Sequence, residues 1–289
     1  PARVESIART DTGFLVTTSA GPLRARRVIV CTGGRSLPKS GSDGGGHTLA
    51  MALGHSLTAP IVPALVPLVL PPGHWITELS GLTLPAELVL ASATGKRITS
   101  CSGSTLCTHF GLSGPAVLDI SRHWLVARHD AAAAGLPEVR LSINWLPGRS
   151  AEQVDRLLLD ARGRGPLAIL REYLPDRLVR RLCELASAPT AGDLPREPRK
   201  RLVGLLTGTP LEIMGDRGFT VAEATAGGVP LAEVRLDTME SRICPGLHFA
   251  GEVLDVDGRI GGFNFQWAWA SGHVAGTSAA EALLPVPAG

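Results

Sequence analysis

The sequence lacks the closely spaced cysteine pairs on which disulfide frameworks and zinc sites are built. Its five cysteines, Cys31, Cys101, Cys107, Cys183 and Cys244, are scattered, odd in number and include no CxxC. They read as free thiols of a reducing compartment, and no metal site is expected. An excess of charge is also missing: 28 Lys and Arg stand against 26 Asp and Glu, for a net charge of +2. A nucleic-acid binder would concentrate a basic face, so nucleic acid is an unlikely partner on this reading. The nearest approach, Arg149–Arg201, holds 12 basic and 8 acidic residues with the two signs interspersed. That mixture marks solvated helix faces. No apolar run is long enough to cross a membrane: the longest, Ala59–Leu70, is short and broken by Pro60, Pro63 and Pro67. No secretory signal opens the chain, and a cytoplasmic location is expected. The chain starts at Pro1 without a Met and runs straight into strand-like sequence, which reads as a truncated start. Nothing in it fixes an oligomeric state.

What is present is globular. Hydrophobic residues make up 44% and charged residues 19% of 289 positions, enough for one large domain or two ordinary ones. Val4–Ala8, Phe14–Thr18 and Arg27–Cys31 read as three strands, with turns at Asp11–Gly13 and Ala20–Pro22. The third, RRVIVCTGG, has the apolar run of a strand fully buried in a parallel sheet. SGSDGGG then leads to a helix over His47–Leu53. A Pro-rich segment, Pro60–Pro72, crosses into sequence of different character. Short strands, among them Glu87–Ala91 and Val139–Asn144, surround a helix at Ala116–Ala127. Ala151–Leu206 is helical, with breaks at Gly163–Pro166, Pro175 and Ala188–Pro198. Strand-like sequence returns at Phe219–Ala224 and Leu247–Glu252, and a last helix runs from Asn264 to Leu284. This order predicts an α/β domain interrupted by an insertion. The outer domain takes residues 1–58 and 216–289. The insert takes 59–215, β-rich over 59–148 and helical over 149–206.

The richest segment is HFAGEVLDVDGRIGGFNFQWAWASG, His248–Gly272. A buried strand ends at Ala250, Gly251 lets a backbone approach a ligand, and Glu252 sits at the strand's carboxyl end, where open α/β sheets bind ligands. A carboxylate there suits a polyol such as the ribityl chain of a flavin. Asp257 follows, and then Gly261 and Gly262, which permit positive φ. Next comes a helix start carrying Phe263, Asn264 and Gln266. Its free N–H groups and partial positive charge suit the pyrimidine edge of a reduced isoalloxazine. Thr32, Gly33 and Gly34 end the earlier buried strand in a turn that resembles the one by which two-dinucleotide-domain flavoproteins return the chain to the FAD. SGSDGGG is no P-loop, because it lacks the Gly-Lys-Ser/Thr ending.

Several stretches together resemble the bacterial BaiN/YhiN-like NAD(P)/FAD-dependent oxidoreductases. They are CTGGRSLPKSGSDGGGHTLAMALGH with PALVPL, THFGLSGPAVLDIS, ATAGGVPLAEV with TMESR, and GLHFAGEVLDVDGRIGGFNFQWAWASGHVAG. The resemblance covers nearly the whole chain. It implies a Rossmann-like FAD domain, with Gly227 and Gly228 close to the flavin ring and an insert that covers the flavin and shapes the pocket for a small-molecule substrate. The family's opening strand–GxGxxG–helix is absent from these residues. That unit supplies the helix N-terminus for the pyrophosphate, so the 289-residue chain is expected to bind FAD weakly or not at all.

The activity implied is hydride transfer with NAD(P)H as electron donor, either reducing an enone-like double bond or oxidising a small amine. Two other classes stand beside it: a flavoprotein that modifies RNA through Arg149–Arg201, and a non-catalytic remnant. No catalytic acid or base is assigned. His109 can serve as a proton donor by residue type, or simply fix its loop. His47, His55, His248 and His273 read as structural, and Trp267 and Trp269 as core packing.

Overall fold

A computed structural model describes residues 2–160 and 164–284. Two compact units divide the chain, one made of Pro1–Leu65 with Gly218–Gly289 and the other of Val66–Arg217. Elements are numbered along the chain.

The first unit opens with an antiparallel meander of β1 (Val4–Thr10), β2 (Gly13–Thr18) and β3 (Gly21–Ala25). Phe14 on β2 is buried, and the Arg9 guanidinium lies 5.1 Å from its ring centre. The sequence reading lacks β3, for a physical reason: Pro22, Leu23 and Arg24 are all exposed, so this edge strand has no apolar face to announce it. β4 (Val28–Val30) pairs parallel with β16 (Leu247–Phe249), placing Val28, Ile29 and Val30 opposite Leu247, His248 and Phe249. The parallel pairing matches expectation, but the full burial does not. β4 ends the order β14-β15-β16-β4, with β14 (Val234–Arg235) and β15 (Glu240–Ser241), and Ile29 is 38% exposed.

Helix α1 (Gly45–Ala52) follows the glycine-rich loop, and β5 (Val62–Ala64) pairs with β13 (Ala224–Ala226). The strand expected over Phe219–Ala224 is a turn instead, closed by the Val221 and Ala222 N–H groups on the Gly218 carbonyl; pairing starts at Ala224. Helix α7 (Phe263–Glu281) packs its buried Ser271, Ala275 and Ala279 inward. The core joins Phe14, Val30, Leu49, Met239, Leu247, Phe249 and Ala275.

The second unit holds a seven-stranded sheet in the order β11-β10-β7-β8-β9-β6-β12. Its members are β6 (Leu68–Val69), β7 (Thr83–Ala91), β8 (Arg97–Thr108), β9 (Gly111–Ser113), β10 (Arg140–Asn144), β11 (Thr209–Leu211) and β12 (Gly215–Asp216). On β7 the buried positions are Leu84, Ala86, Leu88 and Leu90, the alternation of a sheet with one covered face. Helix α2 (Pro115–Ala133) buries Val117, Ile120 and Trp124.

Helices α3 (Ala151–Leu159), α4 (Pro166–Leu170), α5 (Asp176–Ala186) and α6 (Arg196–Gly208) complete the unit. Ser150 and Gln153 form a capping box at the start of α3. Pro166, Pro175 and Pro195 set the starts of α4, α5 and α6, where a missing N–H costs nothing. The expected break at Gly163 lies outside the described residues. Trp145, fully buried, donates from Nε1 to Thr209 Oγ1 at 3.1 Å. All five cysteines are free, and burial pushes the Cys107 thiol up to about 11.

Candidate functional site around the Glu252 turn

β16 ends at Phe249, and the chain turns through a short 3-10 stretch, Gly251–Val253, that carries Glu252. Gly251 sits at φ 74°, a conformation that favours glycine. Glu252 Oε1 accepts the Thr225 N–H at 2.9 Å. Thr225 is fully buried, and its Oγ1 accepts the N–H groups of Arg35 at 2.8 Å and Ser36 at 3.0 Å. Gly34 closes this junction: a Cβ there would stand 2.5 Å from Thr225 Oγ1 and 2.8 Å from Glu252 Oε1. Segments distant in sequence thus meet with no room for a side chain between them. Burial pushes the Glu252 carboxyl above its ordinary 4.5; the Thr225 hydrogen bonds oppose this and the charge of Asp257 adds to it.

The same turn is bolted to α7. Gly251 donates its N–H to Ser271 Oγ at 2.9 Å, and Trp267 Nε1 donates to the Gly251 carbonyl at 3.2 Å. Gly262, at φ 89°, caps α7 with no side-chain hydrogen bond to the first turn. Asn264 is engaged internally: its Oδ1 accepts the Gly258 N–H at 2.7 Å and its Nδ2 donates to the Gly258 carbonyl at 3.2 Å. It therefore shapes the loop that leads into the helix. Gly261, Phe263 and Gln266 are exposed around the helix start.

The other expected residues fall on the flanks. A Cβ on Gly228 would lie 2.8 Å from the Val253 carbonyl oxygen, and Gly227 packs as tightly against the Thr58 and Pro60 carbonyls. Thr32 and Gly33 press on Gly46 and Ser42, seating the glycine-rich loop and the start of α1. Three residues that hold the site carry no advance signal: Thr225 and Ser271 accept backbone N–H groups from segments far away in sequence, and Ser36 meets Thr225 through its own N–H and hydroxyl.

Trp267 does pack against the core, whereas Trp269 is 67% exposed and stacks on Phe265 with ring centres 6.1 Å apart. The opposite face of α7 takes the burial, so the core role expected for Trp269 is corrected. His47 is buried with neither ring nitrogen hydrogen-bonded, and burial, then the charge of Arg35, lowers its pKa. His109 is exposed on the turn between β8 and β9, edge-on to Phe110.

A Ser–His–carboxylate array also occurs. His55 Nδ1 lies 2.8 Å from Glu233 Oε2, and His55 Nε2 lies 2.8 Å from Ser241 Oγ. Ser56 Oγ donates to Glu233 as well. Yet Ser241 is buried, and its Oγ already accepts the N–H groups of Ile243 at 3.0 Å and Cys244 at 2.7 Å. A nucleophile needs an approachable lone pair. This array therefore ties β15 to the chain after α1.

The turn thus carries a partly buried carboxylate with one oxygen fixed, tied to a 19-residue helix whose first turn has no side-chain cap. The described residues include no group of three or more His, Cys, Asp or Glu able to hold a metal ion. None of their helices is long and apolar enough to cross a membrane. The family description "HI0933-like protein Rossmann domain" matches residues 1–278. The chain belongs to this HI0933-like family.

Among curated HI0933-like relatives, the chain is 35% identical over 287 residues to the 3-dehydro-bile acid delta(4,6)-reductase of Clostridium scindens, covering 96% of this chain and 68% of that protein. It is 34% identical over 278 residues to the ribosomal RNA dihydrouridine synthase of Escherichia coli, covering 93% and 64%. The Haemophilus influenzae protein of the same name is 32% identical over 275 residues, covering 92% and 63%. The chain thus spans about two thirds of the length of these relatives.

Proposed function

We propose that the chain builds the flavin-facing part of an FAD-dependent oxidoreductase that takes electrons from NAD(P)H. Its reaction is the saturation of a carbon–carbon double bond conjugated to a carbonyl. The observation that carries this reading is the Glu252 turn, held by Thr225 on one side and by α7 on the other. Bound FAD supplies the hydride-carrying chemistry, and the protein supplies binding and electrostatics. Glu252 Oε1 is committed to Thr225, which leaves Oε2 to accept a ribityl hydroxyl. The free amides of the first turn of α7 stabilise negative charge on the ring edge. Gly261, Gly262, Phe263 and Gln266 meet that edge, with Asn264 fixing the loop and Asp257 setting the local charge. Thr32, Gly33 and Gly34 approach the adenosine-diphosphate part, and Gly227 and Gly228 the ring.

Relatives support the reaction class. One is named for reducing an unsaturated bile acid and two for making dihydrouridine. Uracil, like an enone, carries its reducible double bond next to a carbonyl, so one chemistry serves both names. A nucleobase within RNA is the second substrate reading, favoured by the names of two of the relatives. The cytoplasm, with its nicotinamide pool, is the compartment proposed.

The test is FAD titration of the full-length gene product, followed by anaerobic addition of NADH or NADPH. Bound flavin should lose its visible bands on addition, and Glu252→Gln should weaken FAD binding about tenfold, the worth of one charge-assisted hydrogen bond. Failure to take up FAD, or an unchanged affinity in Glu252→Gln, would sink the assignment.

A further inference from the structure

The hairpin between β8 and β9 has a two-residue tip, His109 and Phe110. Tips of this length favour Asn or Gly in positive φ. Here neither residue takes positive φ. The permissive position falls to Gly111 at φ 150°, where a Cβ would strike the Leu68 carbonyl oxygen. The tip is fixed from two sides. The buried Thr108 accepts the Gly111 N–H on its Oγ1 at 3.1 Å, and the Phe110 carbonyl accepts the Leu70 N–H at 3.0 Å. Turn chemistry therefore does not call for two rings at this point, yet the backbone is braced to present them.

Arg217 follows the edge strand β12 and donates its N–H to the Pro67 carbonyl at 3.2 Å. Its guanidinium lies 4.5 Å from the centre of the Phe110 ring, and the His109 ring meets the same ring edge-on with centres 5.1 Å apart. An arginine over a ring is not unusual in this chain, since Arg9, Arg128, Arg149 and Arg259 do the same. Among the described residues, however, Phe110 is the one ring that carries both a guanidinium and an imidazole. Both polar groups are exposed, and neither side chain forms a hydrogen bond or ion pair among the described residues. Arg128 differs on this point, because Glu138 engages it at 3.8 Å. A guanidinium stacked on a ring keeps its N–H edge open for bidentate, in-plane contact with an oxyanion. An imidazole offers at least one N–H donor in either tautomer.

We infer that this hairpin tip binds a small-molecule oxyanion, a carboxylate or a phosphate ester. Arg217 takes two oxygens through its edge, His109 donates one further hydrogen bond, and Phe110 holds the two donors in place. The site lies wholly within the Val66–Arg217 unit. It therefore stands independently of the flavin reading.

The experiment is a titration of the whole protein, followed by amide and Arg Nε–H chemical shifts, with benzoate, phenyl phosphate and neutral benzamide as probes. The signals of His109, Phe110, Gly111 and Arg217 should shift saturably with an anion, and the tighter of the two anions tells carboxylate from phosphate. Benzamide should bind at least roughly tenfold more weakly, the worth of a charge-assisted hydrogen bond. Arg217→Gln should erase that preference, and Arg217→Lys, which keeps the charge and loses the fork, should restore only part of it. His109→Ala should weaken both anions roughly fivefold, and Arg128→Gln should change nothing. The amide spectrum of each variant shows whether it is folded. Silence at residues 109–111, equal shifts at Arg9, Arg149 and Arg259, equal binding of benzamide, or an unchanged preference in Arg217→Gln overturns the inference. The titration contains no flavin. Anion binding without FAD uptake would remove the proposed reaction alone, and FAD reduction without anion binding would remove this site alone.

Discussion

Replacing Thr225 with Val keeps the shape of the side chain and deletes one oxygen. That oxygen accepts the Ser36 and Arg35 N–H groups, and neither has another partner to turn to. Leaving a buried donor unsatisfied costs about 1–3 kcal/mol. Ser36 is buried and should stand near the middle of that range, with the partly exposed Arg35 at its low end. The added methyl returns a few tenths. The net loss is therefore about 2–3 kcal/mol, which for a unit of this size lowers Tm by roughly 8–12 °C. Thr225→Ser, which keeps the acceptor, should lose less than half as much. The assay is thermal unfolding by circular dichroism, with amide hydrogen exchange at residues 33–36 to show that the loss is local. A Tm within about 2 °C of wild type, with Arg35 and Ser36 still protected, would refute the view that one hydroxyl holds the Gly34 turn against Glu252.

Three further outcomes are expected. His47 is buried with its pKa below the ordinary 6.5, so the unfolded chain binds the extra proton. Stability should be full above that value and fall as pH drops through it, and His47→Leu should flatten urea midpoints measured from pH 7 to 5. Glu252 has the opposite sense: its carboxyl is held above 4.5 in the folded state, so the wild type loses stability as pH rises through that raised value. Glu252→Gln should then gain on the wild type between pH 4 and 7, and a constant difference in urea midpoint would count against the burial argument. Trp145→Phe removes the N–H that Thr209 Oγ1 accepts, while that hydroxyl keeps its own donation to the Leu205 carbonyl. It should cost at least the net worth of one hydrogen bond, about 0.5–1.5 kcal/mol, in chemical denaturation, and a neutral substitution would mean that this bond adds nothing to stability.

Elements with a strong apolar rhythm are legible in the residues. The alternation along Glu87–Ala91 and the small-residue face of the last helix both become the elements expected, with ends shifted by a few residues. Elements defined by pairing alone are not. β3 is an edge strand without a buried face, and Phe219–Ala224 has strand composition but bends into a turn because Gly218 accepts from its backbone. At the site, Gly251 and Glu252 stand out because glycine before a carboxylate at a strand end has few uses, and Gly34 because it belongs to the glycine pair that closes a buried strand. Thr225 and Ser271 do not, since a hydroxyl that accepts a backbone N–H from a remote segment looks like any other hydroxyl. Asn264 shows the converse. Its position at a helix start is plain in sequence, but its commitment to Gly258 needs coordinates.

The parallel pairing of Ile29 with His248 also sets an order of events. A nascent chain holds β4 ready long before β16 has been synthesised, and the intervening residues form one very large loop. Val66–Arg217 is contiguous and has its own core, so it can collapse while the rest is still being made. Each halving of free loop length lowers the entropic cost of closure by about 0.6 kcal/mol. The inner unit would then act as a scaffold during biogenesis, shortening the tether between two strands that cannot meet until last. Mutations that slow its collapse should leave the ribosome-bound chain exposed to proteases at β1–β4, even when the finished protein is as stable as before.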